Sequence, residues 1–291
     1  MKKITFFTPG AKFYENEFHF NNRKKFRSVS ISGNMCALDC PHCGGKMLKN
    51  MLDGSDPQNF ETLCMKMIDE GCEGILLSGG CNISGEVELL PYCESISRVS
   101  KYIKVAVHCG FASFQTLYKL KESGVSTVFF DVVGSRETVK NIFGIDAGAE
   151  DYAERLEYMK TIGLSCSPHI VVGLDYGKIK GEYAALEIVY EFSPEKLVLV
   201  VLKPLSGTKM SRTSPPPLED VLSFFEAAVK KLPGSSFYLG CARPSGHYSE
   251  VLEEKALDMG FSGIAYPFVK TVKKACSAGY DISFSDICCA F

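Results

Sequence analysis

Eight short apolar runs recur along this 291-residue chain, and helical patterns lie between most of them. Strands buried on both faces are apolar nearly throughout, and successive parallel strands need a long connection, usually a helix. The alternation therefore predicts a parallel α/β fold. Strands are predicted at residues 28–33, 74–78, 105–109, 127–133, 167–172, 197–202, 236–239 and 263–266. Helices are predicted at residues 57–70, 114–123, 151–162, 181–192, 219–231 and 249–259.

Strand–helix units repeated eight times predict a single (βα)8 barrel of the TIM type, and a partial (βα)6 barrel is the second possibility. Because α/β barrels of this length commonly form one domain, residues 1–291 are expected to be a single domain. This domain would include a lead-in at residues 1–27 and a cysteine-bearing tail at residues 270–291.

Composition argues against several classes of function. A formal net charge of −2 gives no electrostatic basis for binding nucleic acid, and the longest apolar run, residues 197–202, is too short to span a membrane. No hydrophobic stretch of signal-peptide length follows the start, so a cytoplasmic location is expected. The 13 cysteines agree with a reducing compartment and suggest an anaerobic or low-oxygen cell.

Three cysteines, Cys36, Cys40 and Cys43, form a CxxxCxxC run directly after the first predicted strand. Catalytic groups of such barrels lie at the C-terminal ends of the strands. Iron–sulfur clusters are normally held by four thiolates, so a run of three leaves one iron open to another ligand. A zinc site is the alternative, but structural zinc sites are closed and tend to use two separate CxxC pairs.

The CxxxCxxC run, with His42 directly before its last cysteine, resembles the radical S-adenosylmethionine superfamily. The resemblance implies a 4Fe–4S cluster whose open iron is chelated by the amino and carboxylate groups of S-adenosylmethionine. It also implies a flavodoxin or ferredoxin-type electron donor and the formation of a 5′-deoxyadenosyl radical. Such a radical abstracts hydrogen from carbon centres that acids and bases do not activate.

The same resemblance assigns residues at two strand ends to S-adenosylmethionine. Gly79 and Gly80 match the glycine pair that meets the methionine amino group, although Cys81 stands where the family often has Glu. Asp131 resembles a ribose contact of biotin synthase, and a salt bridge to a neighbouring strand is the alternative. Arg136 is a candidate for the cofactor carboxylate, or else it faces solvent.

Two further strand ends resemble cofactor-binding segments of the superfamily. His169, Val171 and Gly173 lie in a segment similar to the strand that contacts adenine, although a core histidine is the common outcome for a residue such as His169. Lys203 begins a segment similar to the Pro-x-x-Gly-Thr segment of biotin synthase relatives.

A second group of residues is a candidate for an auxiliary iron–sulfur cluster. Biotin synthase has an Arg near its sulfur-donating cluster, and Arg243 follows a predicted strand in a comparable place, beside Cys241. Pairing of Arg243 with a surface carboxylate is the alternative. Cys276, Cys288 and Cys289 lie in a tail with no obvious core to enter, and coordination would tie it down. The alternative is a disordered tail with spare thiols.

Segments 169–174, 181–183 and 240–244 are most similar to one subunit of the two-protein, archaeal-type lipoyl synthase, within the biotin synthase and lipoyl synthase branch. That resemblance implies sulfur insertion into an octanoyl chain on a carrier protein or peptide, with the sulfur taken from the auxiliary cluster. A partner radical subunit would insert the other sulfur. The chain lacks the cysteine group ahead of Cys36 and the Arg-Ser-x-Ser-Tyr ending of ordinary lipoyl synthase.

Three alternatives remain from the sequence. The first is another radical enzyme of this branch, such as a methyltransferase or a metallocofactor-assembly enzyme. The second is an unusual biotin synthase, although the Tyr-Asn-His-Asn pattern of that enzyme is missing. The third is a non-enzymatic iron–sulfur or zinc-binding scaffold.

Overall fold

The computed structural model describes residues 2–291, and the strands within this range form one parallel sheet. The strands are β1 (Lys3–Phe7), β2 (Phe26–Ser30), β3 (Leu52–Asp53), β4 (Gly74–Ser78), β5 (Lys104–His108), β6 (Thr127–Asp131), β7 (Cys166–Val172), β8 (Lys196–Val201), β9 (Ser236–Leu239), β10 (Gly263–Ala265) and β11 (Asp281–Ser285). The helices are α1 (Pro57–Asp69), α2 (Cys93–Val99), α3 (Phe114–Glu122), α4 (Arg136–Phe143), α5 (Ala149–Thr161), α6 (Glu182–Phe192), α7 (Leu218–Lys231), α8 (His247–Asp258) and α9 (Val269–Ser277).

The sheet confirms the predicted parallel α/β barrel architecture. Its strand order is β11-β1-β10-β9-β8-β7-β6-β5-β4-β2-β3, so the strands from β2 and β4 through to β10 follow one another as the chain does. These are the predicted strands, with ends shifted by up to three residues, and the predicted helices are also present, with ends shifted by one or two residues. Because the strands are parallel, their C-terminal ends lie at one rim of the barrel, as the predicted fold implies.

The predicted count of eight strands and the closed (βα)8 barrel are not confirmed, because eleven strands are present among residues 2–291. Strand β1 pairs with β10, where a closed barrel would place β2, and β11 pairs with β1. Strand β3 extends the other edge beside β2. The sheet is therefore an open barrel, larger than the (βα)6 alternative. Strand β1 was missed because only Ile4 and Phe6 of its side chains are fully buried.

Both faces of the sheet are covered. Amphipathic helices pack on the outer face, as α7 does with its buried Phe224 and Phe225. The inner face forms a separate apolar cluster around the lumen, to which Ala106, Phe129 and Val198 belong. In the range 2–291, none of the helices is long and apolar enough to cross a bilayer.

The tail enters the lumen, which corrects the expectation that it has no core to enter. Ala290 is fully buried, and its carbonyl accepts a 2.6 Å hydrogen bond from Ser167 Oγ in β7. The Phe291 ring makes edge contacts with Phe26 and Phe129, at centroid distances of 5.6 and 6.0 Å. Because Phe26 begins β2 and Ser167 is second in β7, the tail fills the N-terminal end of the lumen.

The lead-in holds the tail in place. The Asp286 carboxylate accepts hydrogen bonds from Thr8 Oγ1 at 2.9 Å and from the Asn22 amide at 3.0 Å. His19 Nε2 lies 2.8 Å from the same carboxylate. These contacts hold the pKa of Asp286 below its usual range despite partial burial, so the charged carboxylate is the stable form at the junction.

The position of Phe291 predicts a stability effect. We expect Phe291→Ala to lower the free energy of unfolding by about 2 kcal/mol, because the substitution empties a partly buried aromatic site. Phe20→Ala is the matched control, since Phe20 is 61% exposed and its loss should cost less than about 0.5 kcal/mol. Urea unfolding of the metal-free proteins measures both, and equal effects would contradict a tail packed inside the barrel.

Candidate active site

The CxxxCxxC run lies in a loop after β2, residues 33–45, which we call the cluster loop. Successive turns wind it tightly: the amides of Cys43 and Gly44 donate to the Cys40 carbonyl at 3.1 and 2.8 Å, and the Lys46 amide donates to the Cys43 carbonyl at 2.9 Å. The ligand atoms of Cys40, His42 and Cys43 consequently lie within 4.8 Å of one another. A metal centre needs this convergence of donor atoms.

The electrostatics of these thiols suit metal binding. A hydrogen bond from Cys40, helped by one from His42, lowers the pKa of Cys43 to about 4 against the opposing effect of burial. The same hydrogen bond and burial raise the pKa of Cys40, so the pair shares one proton. In the described part of the chain, Nδ1 of His42 is buried without a hydrogen-bond partner. Such an atom is available to a bound ligand.

Gly80, at the end of β4, supports the cluster loop from beneath. A Cβ atom on Gly80 would lie 1.9 Å from the Met35 carbonyl oxygen and 2.5 Å from the Cys36 Cα, so only glycine allows this approach. The Ala37 amide donates to the Cys81 carbonyl at 2.8 Å beside it. The structure therefore brings Cys36 against Gly80, although the two residues are far apart in sequence.

The inner face below this loop carries two histidines and a carboxylate. His108 Nε2 lies 3.4 Å from Asp131 Oδ2, and Nδ1 of His169 donates to the Ser167 carbonyl at 2.9 Å. Burial lowers the pKa of His169 to about 4, so its ring is neutral near pH 7. Sequence reasoning missed His108 as a site residue, although it ends β5 and the strand-end rule would have found it.

The segment after β7 is held by a buried carboxylate. The Gly173 amide donates to Glu182 Oε1 at 2.8 Å, so this main-chain donor is already used within the protein. A Cβ atom at Gly173, whose φ is +81°, would lie 2.6 Å from Pro216. Val171 belongs to the apolar inner face, and Lys203 is exposed beyond the end of β8.

Arg136 begins α4 and lies in a cluster of ions on the surface. Its guanidinium contacts Asp146 at 2.6 Å and Asp151 at 3.4 Å, and it also pairs with Glu150. Its side chain is 48% exposed. Arg136 therefore forms ion pairs with three carboxylates of the protein itself.

Arg243 is buried and forms an ion pair with a carboxylate of α8. Its guanidinium lies 2.5 Å from Glu253, which is also buried, and donates to Ser249 Oγ at 2.8 Å. It donates further to the carbonyls of Gly240 and Ala265, both at 2.7 Å. The fold therefore uses most of the donors of this arginine to join β9, β10 and α8, since a buried charge needs such partners.

Cys288 and Cys289 belong to the apolar inner face, and Cys241 lies just after the end of β9. Burial raises the pKa of Cys241, the charge of Cys288 adds to this, and the ammonium group of Lys12 opposes it. A shared hydrogen bond lowers the pKa of Cys288 and raises that of Cys289. Cys276 lies apart from them, exposed on the outer helix α9. Lys12 carries no sequence signal that would have identified it.

Residues 30–178, about half of the chain, match the family model described as the Radical SAM superfamily. The chain belongs to the radical S-adenosylmethionine superfamily. It is 24% identical over 213 residues to a biotin synthase of Hydrogenobaculum sp., covering 69% of this chain and 62% of the relative. It is 28% identical over 214 residues to a biotin synthase of Aquifex aeolicus, covering 68% of this chain and 60% of the relative. The matched region thus spans about three fifths of these relatives.

Solved structures show the same fold at lower identity. The FeFe-hydrogenase maturase HydG from Carboxydothermus hydrogenoformans superposes with a TM-score of 0.60 at 14% identity, covering 97% of this chain and 68% of that one. Methylornithine synthase gives a TM-score of 0.56 at 12% identity, covering 84% of this chain and 72% of that one. These likenesses establish the barrel architecture of the chain.

Family membership implies a 4Fe–4S cluster and S-adenosylmethionine, and the residues present fit both. The CxxxCxxC run supplies three thiolates, Cys36, Cys40 and Cys43, one fewer than a cluster normally uses, which leaves one iron for the cofactor. The unpartnered Nδ1 of His42 and the close approach permitted by Gly80 agree with a ligand bound at this loop.

The packing at Gly80 predicts the result of a one-carbon substitution. Gly80→Ala should reduce S-adenosylmethionine cleavage about 100-fold, because the new methyl group displaces the Met35–Cys36 backbone. Gly234→Ala is the matched control, since a Cβ there meets no atom of the described residues within 4 Å. Iron content and 5′-deoxyadenosine formation measure the effect; a Gly80→Ala protein with wild-type values for both would refute the close contact.

The lowered pKa of His169 predicts a pH dependence of stability. The unfolded side chain titrates near pH 6.5 and the folded one near 4, so the unfolded state binds the proton first as the pH falls. The stability from the neutral ring is therefore complete above about pH 6.5 and is lost between there and 4. Between pH 7 and 5, metal-free wild type should lose about 2 kcal/mol more than His169→Gln.

Urea unfolding at the two pH values measures this difference. His247→Gln is the control, because the side chain of His247 is 86% exposed and its replacement should leave the pH profile unchanged. A pH profile of His169→Gln identical to that of wild type would exclude a neutral, buried ring.

Proposed function

We propose that this radical enzyme inserts sulfur at an unactivated carbon of a protein-bound octanoyl chain, as one subunit of a two-protein lipoyl synthase. The observation that carries the proposal is that Cys241 lies near enough to Cys288 and Cys289, from a remote part of the chain, for their charges to affect one another's pKa. Their ligand atoms do not all lie within the 4.8 Å that joins Cys40, His42 and Cys43. A reaction confined to cleavage and hydrogen abstraction would need only the cluster loop. A second set of thiols inside the barrel supports a second, sulfur-supplying iron–sulfur cluster.

The donor chemistry of this second site fits an iron–sulfur cluster. Cys288 is partly accessible, and its pKa is lowered by the hydrogen bond from Cys289 and by the nearby Lys196 ammonium group. Cys241 is accessible from the lumen yet surrounded by enough protein for burial to raise its pKa. Thiolate is the ligand form of cysteine, so cations such as Lys12 and Lys196 favour binding.

The first site has a different task. Bound at the cluster loop with S-adenosylmethionine, a 4Fe–4S cluster supplies a 5′-deoxyadenosyl radical that removes hydrogen from carbon. Cys36, Cys40 and Cys43 would hold the irons, and Gly79 and Gly80 would face the methionine amino group. Asp131, as a lumen carboxylate beside His108, would accept from ribose hydroxyls.

The apolar lining of the lumen suits an acyl chain. Ala106, Val198 and Val200 present small or aliphatic side chains on the inner face, and Phe129 and Phe291 fill its N-terminal end. An octanoyl chain entering from the rim would pass the cluster loop and meet apolar walls. The filled end would exclude water, which protects a carbon radical from side reactions.

A biotin-forming reaction is the second candidate, because the matched relatives are biotin synthases. Lys12 supports this candidate. Burial lowers its pKa, and so do the charges of Lys203 and Arg243, which shows that these cations lie near one another and near Cys241. This group of cations would suit a substrate with a free carboxylate. Dethiobiotin has one, and an octanoyl-lysine lacks it.

The test is anaerobic incubation of the iron-loaded enzyme with S-adenosylmethionine, reductant and an octanoylated lysine peptide. We expect mass spectrometry to detect the addition of sulfur to the peptide, in the presence or absence of a partner subunit. A parallel incubation with dethiobiotin tests the second candidate. About four irons per chain in fully loaded protein, rather than about eight, would exclude the second cluster and with it this source of sulfur.

Cysteine variants separate the two sites. Cys36→Ala should reduce 5′-deoxyadenosine formation at least about 100-fold, because the first cluster loses a ligand. Cys241→Ala and Cys288→Ala should retain that cleavage and lose the sulfur-containing product. Cys276→Ala is the matched control, since Cys276 lies on the outer helix α9 and should leave both measurements unchanged. Loss of cleavage in the Cys241 and Cys288 variants would refute the division into two sites.

A further inference from the structure

Cys81 departs from the family pattern at the glycine pair, since it stands where Glu is often found. Its main chain is fastened to the cluster loop. The Cys81 carbonyl accepts a 2.8 Å hydrogen bond from the Ala37 amide, and the amide of the preceding Gly80 donates to Ser32 Oγ at 2.7 Å. A Cβ atom on Gly80 would lie 2.6 Å from the Cβ of Cys36. Cys81 therefore directly follows the residue that contacts the first thiol ligand.

The thiol of Cys81 lies beside the end of β5. A Cβ atom on Gly110, whose φ is +63°, would lie 3.1 Å from this sulfur, so glycine at that position leaves room for the thiol. Cys81 is partly accessible, and within residues 2–291 its thiol makes no hydrogen bond. The thiol of Cys93, by contrast, donates to the Leu89 carbonyl at 3.6 Å. The sulfur of Cys81 is therefore free to serve as a ligand.

The charges of the cluster-loop thiols reach Cys81. Burial, with the added charges of Cys36 and Cys43, raises the pKa of Cys81 to about 12. The pKa of Cys40 is raised chiefly by its hydrogen bond to Cys43, and the charge of Cys81 adds to this. Cys81 thus lies near enough to interact with all three thiols of the CxxxCxxC run. Thiolates gathered in this way repel one another unless a metal centre supplies positive charge.

The separation of Cys81 from the other thiols suits a cluster better than a single ion. Its sulfur is not among the ligand atoms that lie within 4.8 Å of one another, which belong to Cys40, His42 and Cys43. A single metal ion draws all of its ligands to one centre, whereas a 4Fe–4S cluster binds each thiolate at a different iron. A protein ligand for the fourth iron must come from outside the CxxxCxxC run, and Cys81 offers one from the neighbouring strand end.

We propose that Cys81 is the fourth ligand of the cluster while S-adenosylmethionine is absent, and that the cofactor displaces it. On displacement, the bond between iron and the Cys81 sulfur breaks, and the methionine nitrogen and a carboxylate oxygen bind the same iron. The proton lost by the methionine ammonium group passes to the released thiolate, and no electron is transferred. The proposal rests on the cluster that family membership implies, and it is independent of the substrate that receives the radical.

The first test measures the affinity of the iron-loaded protein for S-adenosylmethionine without reductant, so that no cleavage takes place. A cofactor that must displace Cys81 binds with an affinity reduced by the fraction of clusters that are open. We therefore expect Cys81→Ala to bind the cofactor about tenfold more tightly than wild type in equilibrium dialysis. A cysteine that only packs the rim would leave the affinity unchanged or weaken it on removal, and either result would overturn the proposal.

The second test follows the reduced cluster by EPR spectroscopy in samples frozen directly after mixing. Without S-adenosylmethionine, the spectra of wild type and Cys81→Ala should differ, because one iron has lost its thiolate. With saturating cofactor the two spectra should coincide, since that iron then has the same ligands in both proteins. Only the part of the spectrum that responds to the cofactor is compared, so a second cluster does not affect the outcome.

Cys93→Ala is the matched control, because Cys93 is also partly buried but lies in the outer helix α2. It should match wild type in both tests. Cys81→Ser keeps the size of the side chain and replaces sulfur with oxygen, which is less suited to iron–sulfur clusters, so it should also bind the cofactor more tightly than wild type. This variant decides the question if Cys81→Ala does not load iron.

Two spectroscopic results would contradict the proposal. Identical spectra without cofactor would leave the fourth iron to a water molecule. Spectra that differ equally with and without cofactor would reduce the role of Cys81 to packing. Loss of the cluster in both Cys81 variants would also overturn displacement, because it would make Cys81 a permanent ligand. Neither test measures sulfur insertion, so failure of that reaction does not affect the result.

Discussion

The register of β2 against β4 determines where the radical site forms. Ser30 pairs with Ser78, and the ladder continues as the Ile31 amide donates to the Ser78 carbonyl at 2.8 Å. The cluster loop and the glycine pair thus leave the sheet side by side, which brings Gly80 beneath Cys36. A slip of one residue would turn the side chains of β2 to the opposite face. Gly80 would then no longer lie beneath Cys36, and the cluster loop would lose this support.

Much of this arrangement could be predicted from the sequence, because periodicity and strand-end position are local properties. The rule that strand ends carry the chemistry selected Asp131 and Cys241, and these residues lie at the end of β6 and just after the end of β9. Arg243 was placed at the right strand end, but its partner Glu253 comes from α8, and no local pattern indicates such a pairing. Arg136 was likewise assigned by position, whereas its contacts are with carboxylates that follow it by ten to fifteen residues.

The tail and the lead-in could not be predicted for a different reason. Most residues of strands β1 and β11 are not fully buried, so neither shows the continuous apolar run of a central strand. Whether Phe291 is a frayed end or a core residue depends on the space left inside the barrel. That space is set by small residues such as Ala106 and Ala265 on strands far away in sequence. It is a property of the assembled sheet.

The pairing of β1 also bears on how the protein is made. Thr5 and Ser283, 278 positions apart, are neighbours across β1 and β11, and the other neighbour of β1 is β10. Ribosomes deliver β1 first, yet both of its partners emerge only after the whole sequence of central strands. Until then, Ile4 and Phe6 belong to an unpaired strand edge, which is a target for chaperones and a risk for aggregation. The cluster loop and its glycine support are both complete well before that edge is covered, so metal loading and barrel completion are separable events in the life of the chain.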